Sequence, residues 1–490
     1  MAHTFTSGEA SLYVQKDGPN TAVEYLGCHE IGDITIPEGD LTLYYCPDPN
    51  QVNKYIVKGS FQGVPGAITT SLTADFTDEI DAMERVIFPH TLFVNKAKRG
   101  RRNQFTNRDR GLVLGNARIT QRTFTGVSDR SAENAAKTEA GYEISAEFVL
   151  RVATETVSRQ TISETLAIND ITFCNAIQQR TDDSVARRSC EIGFAVADAG
   201  SAATANVLKT TNGSTWTAAA ADPFAVTEHA ISVGCFDVSR DTTRVVVARG
   251  VTDVAAPAEI AYSDDSGATW SSVNVGSTNG QFVSSRHGLF ILDATHAWAA
   301  TDTGYIYFSS DSCLTWTAQE SGTLTTTDWL AIHFATEDVG WIGGEANEIA
   351  RTVDGGSTWS AITGPSARAS DDVTCIFGLD KNRAWIGYDT GYLYYTVDGG
   401  TTWTSRSFSG SASGAVRDIK FHNELLGYML HDTSAPVGKI HKTIDGGYSW
   451  ELVTTPTNAG VNALYICDEW KYYIAGEVQG GTGFIAKAEA

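Results

Sequence analysis

Along the last two-thirds of the chain, short runs of branched and aromatic residues alternate with turns rich in Gly, Asp, Ser and Thr. Apolar positions recur with a period of two, which predicts strands and not helices. Residues 330–334, 339–343, 348–352 and 357–362 read as four strands, the last two joined by RTVDGGSTW at 351–359. The phrase returns as YTVDGGTTW (395–403) and KTIDGGYSW (442–450), and more loosely as YSDDSGATW (262–270), FSSDSCLTW (308–316) and KTTNGSTW (209–216). Its tryptophans fall at 216, 270, 316, 359, 403 and 450, a period of 43 to 54 residues. Strand-built repeats of that length predict the blades of a β-propeller and not a helical solenoid.

Each copy has the chemistry of a tight hairpin. Asp-Gly-Gly supplies the left-handed backbone that residues with a Cβ resist. The carboxylates of Asp265, Asp311, Asp354, Asp398 and Asp445 are placed to accept backbone N–H groups of their own turns, with the Ser or Thr two residues earlier joining them. Trp270, Trp316, Trp359, Trp403 and Trp450 then begin the outgoing strands with a large apolar face. Cys313 stands where one turn expects glycine, and Thr211 where the most worn copy expects aspartate. The phrase resembles the Asp-box (BNR) repeat of sialidases and related propellers, S/T-x-D-x-G-x-T-W. In that family the box is a scaffold element remote from any active site, which implies a structural role for these residues.

The next units repeat the plan at 373–377, 384–387, 392–397 and 402–406, and at 416–421, 427–430, 439–444 and 449–453. Trp298, Trp341, Trp385 and Tyr428 share the second-strand position and are expected to pack between blades. The last unit offers three strands, 462–466, 471–476 and 483–487, with no box after them, so six boxes and this unit make seven blades. An open edge invites aggregation, so the ring must join its ends. Residues 161–168 (TISETLAI) are expected to supply the missing outer strand.

Residues 1–160 carry no box. Strands are predicted at 11–14, 33–36, 41–45, 54–57, 68–76, 118–124 and 141–152. One helix is predicted at 77–87, capped by Thr77, with Asp78 and Glu79 at its positive end, Ile80, Met83 and Ile87 on one face, and Pro89 as its stop. The fold class is therefore all-β: an N-terminal β-sandwich with one helix (1–160) and a C-terminal seven-bladed β-propeller (161–490). A loop at 95–111 gathers Lys96, Lys98, Arg99, Arg101, Arg102, Arg108 and Arg110, a candidate contact for phosphate or an acidic neighbour.

Charge narrows the partners. Of the net −22, residues 161–490 contribute about −19, with 19 Lys+Arg against 38 Asp+Glu. Such a surface repels nucleic acid and anionic lipid, so neither membrane nor sequence-specific nucleic acid is an expected partner. No apolar run reaches the ~18 residues of a membrane span, and the first residues lack the basic and apolar regions of a secretory signal. The eight cysteines show no C-x-x-C and no metal spacing. Cys174, Cys235, Cys375 and Cys467 fall in or beside first strands, which predicts buried core thiols and not disulfides or ligands. No cofactor or metal is expected.

Three function classes follow. A sialidase-like glycosidase needs an Arg-Ile-Pro segment, which the chain lacks, and an arginine triad to which Arg244, Arg286, Arg351 and Arg383 cannot be assigned. The phrase DVGWIGGEANEIARTVDGGSTW (338–359) resembles propellers of the photosystem II stability/assembly-factor type, which implies partner binding without catalysis. The N-terminal region is similar to the tube-forming domain of phage major tail proteins, through the strand entry GDITIP (32–37), a strand-rich sandwich with one helix, and a long charged loop. That resemblance implies self-association into rings or tubes. Over the whole chain the reading is a non-enzymatic phage virion protein, a tail tube component assembled in the host cytoplasm and displaying an acidic propeller. Its expected partners are itself and other virion proteins. The alternatives are a non-catalytic assembly or binding factor, a host-surface glycan binder using Tyr305, Tyr307, Tyr392 or Tyr394, and a sialidase-like glycosidase.

Overall fold

The computed structural model describes residues 156–162, 165–174, 190–198, 206–224, 228–239, 242–250, 258–275, 282, 287–319, 324, 328–411, 413–433, 437–454, 459–468 and 471–489, and before residue 156 the backbone of the strands. The chain divides into two compact units, one built on Met1–Thr154 and one containing Glu155–Gln178, Arg188–Thr443 and Ser449–Ala490.

In the first unit, an antiparallel sheet runs Val23–Ile31, Gly8–Gln15, His90–Lys96, Gly111–Thr125, Glu139–Ala146 and Val64–Ser71, and Phe148–Arg151 also pairs with the long Gly111–Thr125 strand. Two ribbons, His3–Phe5 with Ile34–Ile36 and Leu43–Pro47 with Tyr55–Gly59, complete its described strands. The predicted helix at 77–87 lies outside the described residues. So do Lys98, Arg99, Arg101, Arg102, Arg108 and Arg110; Lys96 ends the strand His90–Lys96.

The second unit is a seven-bladed β-propeller. Blade four consists of Trp329–Phe334, Gly340–Gly344, Ile349–Thr352 and Ser360–Ile362, paired antiparallel in that order. Blade five repeats it with Val373–Gly378, Ala384–Tyr388, Leu393–Thr396 and Thr404–Arg406. Blade six uses Val416–Phe421, Gly427–Asp432, Gly438–Thr443 and Glu451–Thr454. Blades one to three begin with Ile168–Phe173, His229–Ser239 and Leu289–Asp293. The seven first strands lie side by side around the ring, that of blade seven (Val461–Ile466) against that of blade one. Among the described residues, helix is confined to the 3-10 turns Asp302–Gly304, Glu345–Asn347 and Ser366–Arg368.

The ring closes with a different segment from the one expected. The outer strand of blade seven is Thr156–Arg159, antiparallel to Thr482–Glu489. Of the predicted 161–168, Thr161 and Ile162 instead run parallel to Thr215 and Trp216 of blade one, and Ile168 starts that blade's first strand. The apolar residues of 161–168 marked it as a strand. Yet Ile168 is fully buried and is needed in the core of blade one, whereas an outermost strand can be polar, as Thr156–Arg159 is.

Neighbouring blades interlock through the second-strand aromatics. Trp298 stacks on Phe334 of blade four with ring centroids 3.5 Å apart, and its indole N–H donates to the carbonyl of Gly355 at 3.1 Å. Trp341 donates to the carbonyl of Asp380 of blade five at 3.0 Å. Trp385 meets Phe421 of blade six at 4.3 Å, and Tyr428 meets Tyr472 of blade seven at 4.2 Å. At the seam, Tyr473 packs on Phe173 at 4.4 Å and its hydroxyl donates to the carbonyl of Gly213 at 2.8 Å. All of these rings are buried.

The thiol expectation is corrected for three of four cysteines. Cys174 is bonded to Cys235 and Cys190 to Cys467, at sequence separations of 61 and 277, while Cys375 is a buried free thiol, as is Cys313. First strands of consecutive blades run side by side, and ring closure brings blade seven onto blade one. Local spacing along the chain cannot reveal either proximity. Because Trp298 both fills an inter-blade space and satisfies a turn carbonyl, Trp298→Ala is expected to cost about 3–5 kcal/mol, measurable by denaturant unfolding; a loss below about 1 kcal/mol would contradict this packing role.

Candidate functional site

The six repeated turns lie at one end of the strands, between the third and fourth of each blade. In blade five, Asp398 Oδ1 accepts from Thr396 Oγ1 at 2.8 Å and from the N–H of Thr402 at 2.9 Å, and Oδ2 accepts from Thr402 Oγ1 at 2.6 Å. Thr396 Oγ1 in turn accepts from the N–H of Gly400 at 2.9 Å. Asp265, Asp311 and Asp354 make the same bonds. The hydroxyl and N–H of Thr269 hold the Asp265 carboxyl down at about 2. Gly399 and Gly400 have φ of 73° and 87°, and Gly446 and Gly447 beside Asp445 have 71° and 83°. Cys313 adopts φ 66° in place of glycine, at a steric cost its neighbours must offset.

In the worn copy the carboxylate's place is taken not by Thr211 but by Asn212. Its amide oxygen accepts from the N–H groups of Ser214 and Thr215 at 2.9 and 2.8 Å. The turn is one residue shorter, so counting back from Trp216 lands one position early. Trp216, Trp359 and Trp450 are buried, and Trp270, Trp316 and Trp403 are partly buried. Trp270 donates to the carbonyl of Ala221 at 2.8 Å, and Trp403 packs edge-on to Trp341 of blade four at 6.4 Å. These residues hold turns and blade boundaries.

The ring's hub is polar. Asp170 accepts from Ser232 Oγ at 3.0 Å and from the N–H of Val233 at 2.9 Å, tying blade one to blade two. Asp418 accepts from the N–H of Leu464 at 2.9 Å, tying blade six to seven, and lies 3.4 Å from the Lys420 ammonium. His333 Nδ1 accepts from the N–H of Gly378 at 3.2 Å, tying blade four to five. Burial pushes Asp170 up to about 7, against its hydrogen bond from Val233 and the charge of Lys420. Burial opposes the charge of Lys420, yet Asp418 and Asp170 together hold its ammonium above the ordinary lysine range. Its side chain keeps 35% exposure. Burial, then Lys420, depresses His333 to about 3. Every carboxylate here is engaged by backbone N–H groups, so the cluster reads as an axle of inter-blade ties.

The opposite strand ends carry a different surface. The loops before the third strands of blades four and five, and those leading into their first strands, bring together Asp328, Glu345, Asp371, Asp372 and Asp389. Asp372 Oδ1 accepts from the N–H of Ala346 at 3.0 Å, and Asp389 Oδ1 accepts from the N–H of Asp372 at 3.1 Å. Burial and the charges of Asp328 and Asp372 raise Glu345; burial and the charges of Asp372 and Asp371 raise Asp389. The cation beside them, Arg368, is paired with Asp371 at 2.9 Å and lies over the Tyr392 ring at 3.9 Å. Ala346 and Asn347 both adopt left-handed backbone, φ 51° and 64°. The strained turn is held by Asn347, which accepts from the Tyr388 hydroxyl and donates to the Pro365 carbonyl at 3.1 Å. Strain that neighbouring groups over-determine in this way is a mark of functional loops.

The other residues singled out from sequence do not converge. Arg244 pairs with Asp264 at 2.7 Å and donates to the Ser312 carbonyl at 2.8 Å. Arg351 donates to the carbonyls of Lys381 and Gly399 at 2.6 and 3.0 Å, and Arg383 pairs with Asp380 at 2.7 Å. Arg286 lies outside the described residues. Tyr307 is buried, Tyr305 is 44% exposed, and Tyr394 packs against Tyr388 at 5.9 Å. No group of three or more metal-ligating His, Cys, Asp or Glu occurs among the described residues. Sequence reading missed the hub and the acidic loops. The hub's signal was an ionisable residue inside a first strand, alone in the cases of Asp170 and His333 and between Arg417 and Lys420 in the case of Asp418.

The fold and turns define the class: a seven-bladed propeller of the Asp-box (BNR) type. Within it, residues 322–480 match the family model described as photosynthesis system II assembly factor YCF48. Similar solved structures include YCF48 bound to D1 peptide (15% identity, 69% of this chain and 97% of that chain, TM-score 0.49) and YCF48 from Cyanidioschyzon merolae (15%, 68% and 98%, 0.48). A GH74 xyloglucanase from Xanthomonas campestris is similar over 68% of this chain and 53% of its own (13% identity, TM-score 0.49). No curated protein sequence matches the chain.

Blade six also contains two fully buried imidazoles, His431 and His441, with ring centroids 5.9 Å apart and Phe408 at 5.0 Å from each. His431 Nε2 donates to the Ser413 carbonyl at 2.7 Å, while His431 Nδ1 and both nitrogens of His441 have no hydrogen-bond partner. Burial, then His431 and Lys439, depress His441 to about 3. A base whose folded value is lowered leaves stability unaffected above its unfolded value near 6.5 and removes it as pH falls toward 3, because unfolding then takes up a proton. The span corresponds to about 5 kcal/mol. His441→Leu is therefore expected to leave neutral-pH stability within about 1 kcal/mol and to shift the acid-unfolding midpoint downward; an unchanged acid limb would contradict the assignment.

Proposed function

We propose that the chain is a non-catalytic binding protein whose propeller receives a positively charged segment of a partner polypeptide on the loop face of blades four and five. The observation that carries this reading is the coincidence of the assembly-factor family match, residues 322–480, with the acidic, strained loops around Glu345, Asp372 and Asp389. Carboxylates raised by one another's charge are relieved by an incoming cation, and their fixed loops hold that charge in place before the partner arrives. The engaged arginines and the hydrogen-bonded hub carboxylates support binding over catalysis.

The tail-tube reading draws no support from the comparisons, whose family match lies within the propeller, and virion partners are not carried further. The assembly-factor alternative takes its place. The test uses the full chain and its Glu345→Lys/Asp372→Lys variant, with fluorescence anisotropy of a Lys/Arg-rich peptide at low and physiological salt. The variant is expected to bind at least about tenfold more weakly, and wild-type affinity to fall with salt. Equal binding by the two proteins, or hydrolysis of xyloglucan or a sialoside by the wild type, would overturn the proposal.

A further inference from the structure

The ring closes within blade seven, whose outer strand comes from the start of the propeller segment and whose other three strands come from its end. Its closing strand is short, Thr156–Arg159, and largely exposed. It is supported by one further backbone bond, from Gln160 N–H to the Ile485 carbonyl at 2.9 Å, and by the Arg159 guanidinium donating to the Gln479 carbonyl at 2.6 Å. Both disulfides among the described residues end on blade one. Cys174–Cys235 ties it forward to blade two, and Cys190–Cys467 ties it backward to blade seven across a separation of 277 residues. The cysteines of blades three and five, Cys313 and Cys375, stay free and buried. Covalent bonds thus flank the closing strand: the longer one ties blade seven, where the chain ends pair, to blade one and encloses nearly the whole propeller.

We propose that these bonds form a redox latch: closure of the ring is completed by oxidation, which places maturation of this protein in an oxidising compartment. The oxidant is a disulfide compound. The Cys190 thiolate attacks it, forming a mixed disulfide and releasing one thiolate; the Cys467 thiolate then displaces the second. Two protein thiols thereby lose two electrons, the oxidant becomes two thiols, and the two protons leave with them. Cys190 and Cys467 are 5% and 2% exposed once the ring is closed, so reductant reaches this bond only through an opened seam. Cys235 is partly exposed, so Cys174–Cys235 is the bond reduced first. Disulfides that close long loops constrain the unfolded chain most, and they persist where thiols are not kept reduced.

The experiment uses the full chain and does not depend on the binding proposal. Never-reduced protein is denatured, alkylated and mapped by mass spectrometry, and thermal unfolding is followed by tryptophan fluorescence with and without dithiothreitol. Cys174, Cys190, Cys235 and Cys467 are expected to escape alkylation, and reduction is expected to lower the wild-type midpoint by about 10 °C. Cys190→Ser, Cys467→Ser and the double variant are expected to share one lowered midpoint, since each removes the same bond. Cys190→Ala/Cys467→Val, which keeps the seam filled, is expected to fall with them. Refolding of reduced protein with oxidised glutathione is expected to restore the wild-type midpoint. Free alkylation of the four cysteines in never-reduced protein, or a wild-type midpoint indifferent to reductant, would overturn the latch. If the serine variants do not fold, the wild-type comparison and the Ala/Val pair still decide it.

Discussion

The carbonyls of the left-handed turns are what bind one blade to the next. A turn wound tightly enough to return a strand within a few residues points backbone oxygens away from its own sheet, and a buried oxygen without a donor is costly. Here the donor comes from the preceding blade. The indole of Trp298 and the amide of Gln319 both donate to Gly355, at 3.1 and 2.9 Å. Arg244 serves Ser312, Arg351 serves Gly399, and Tyr473 serves Gly213 across the seam. At these four boundaries one blade completes its neighbour's turn, and an open ring would leave the Gly213 carbonyl without its Tyr473 donor.

The same logic explains the ionisable residues at the hub. Where seven first strands converge, the N–H groups of one strand face the side chains of the next. Asp170, His333 and Asp418 accept from Val233, Gly378 and Leu464, replacing water that a packed axle cannot admit freely. The acidic loops of blades four and five differ in kind, because there the neighbours of each carboxylate include other carboxylates.

Blade one stands apart from the pattern. Its turn is one residue shorter, with Asn212 in place of an aspartate, and its sheet gains Thr161 and Ile162 as a parallel outer segment. Both disulfides among the described residues end on it. A repeat placed where the two ends of the ring meet experiences a different neighbour from every other repeat, so divergence there follows from its position.

Much of the propeller was legible because its determinants are local. A left-handed Asp-Gly turn, a period of two and an aromatic at a constant offset act over fewer than ten residues, and repetition made the blade count readable. What lay beyond reach depended on residues distant along the chain. Which polar segment closes blade seven, which thiols meet, and which carboxylates share a surface are set by how the ring folds back on itself. Asn212 shows the boundary plainly: a one-residue deletion shifts the apparent motif, and only hydrogen-bond geometry reveals which side chain took over. Sequence alone determined the repeating unit; tertiary structure decided the seam, the hub and the acidic face, because their energies arise between blades and not within one.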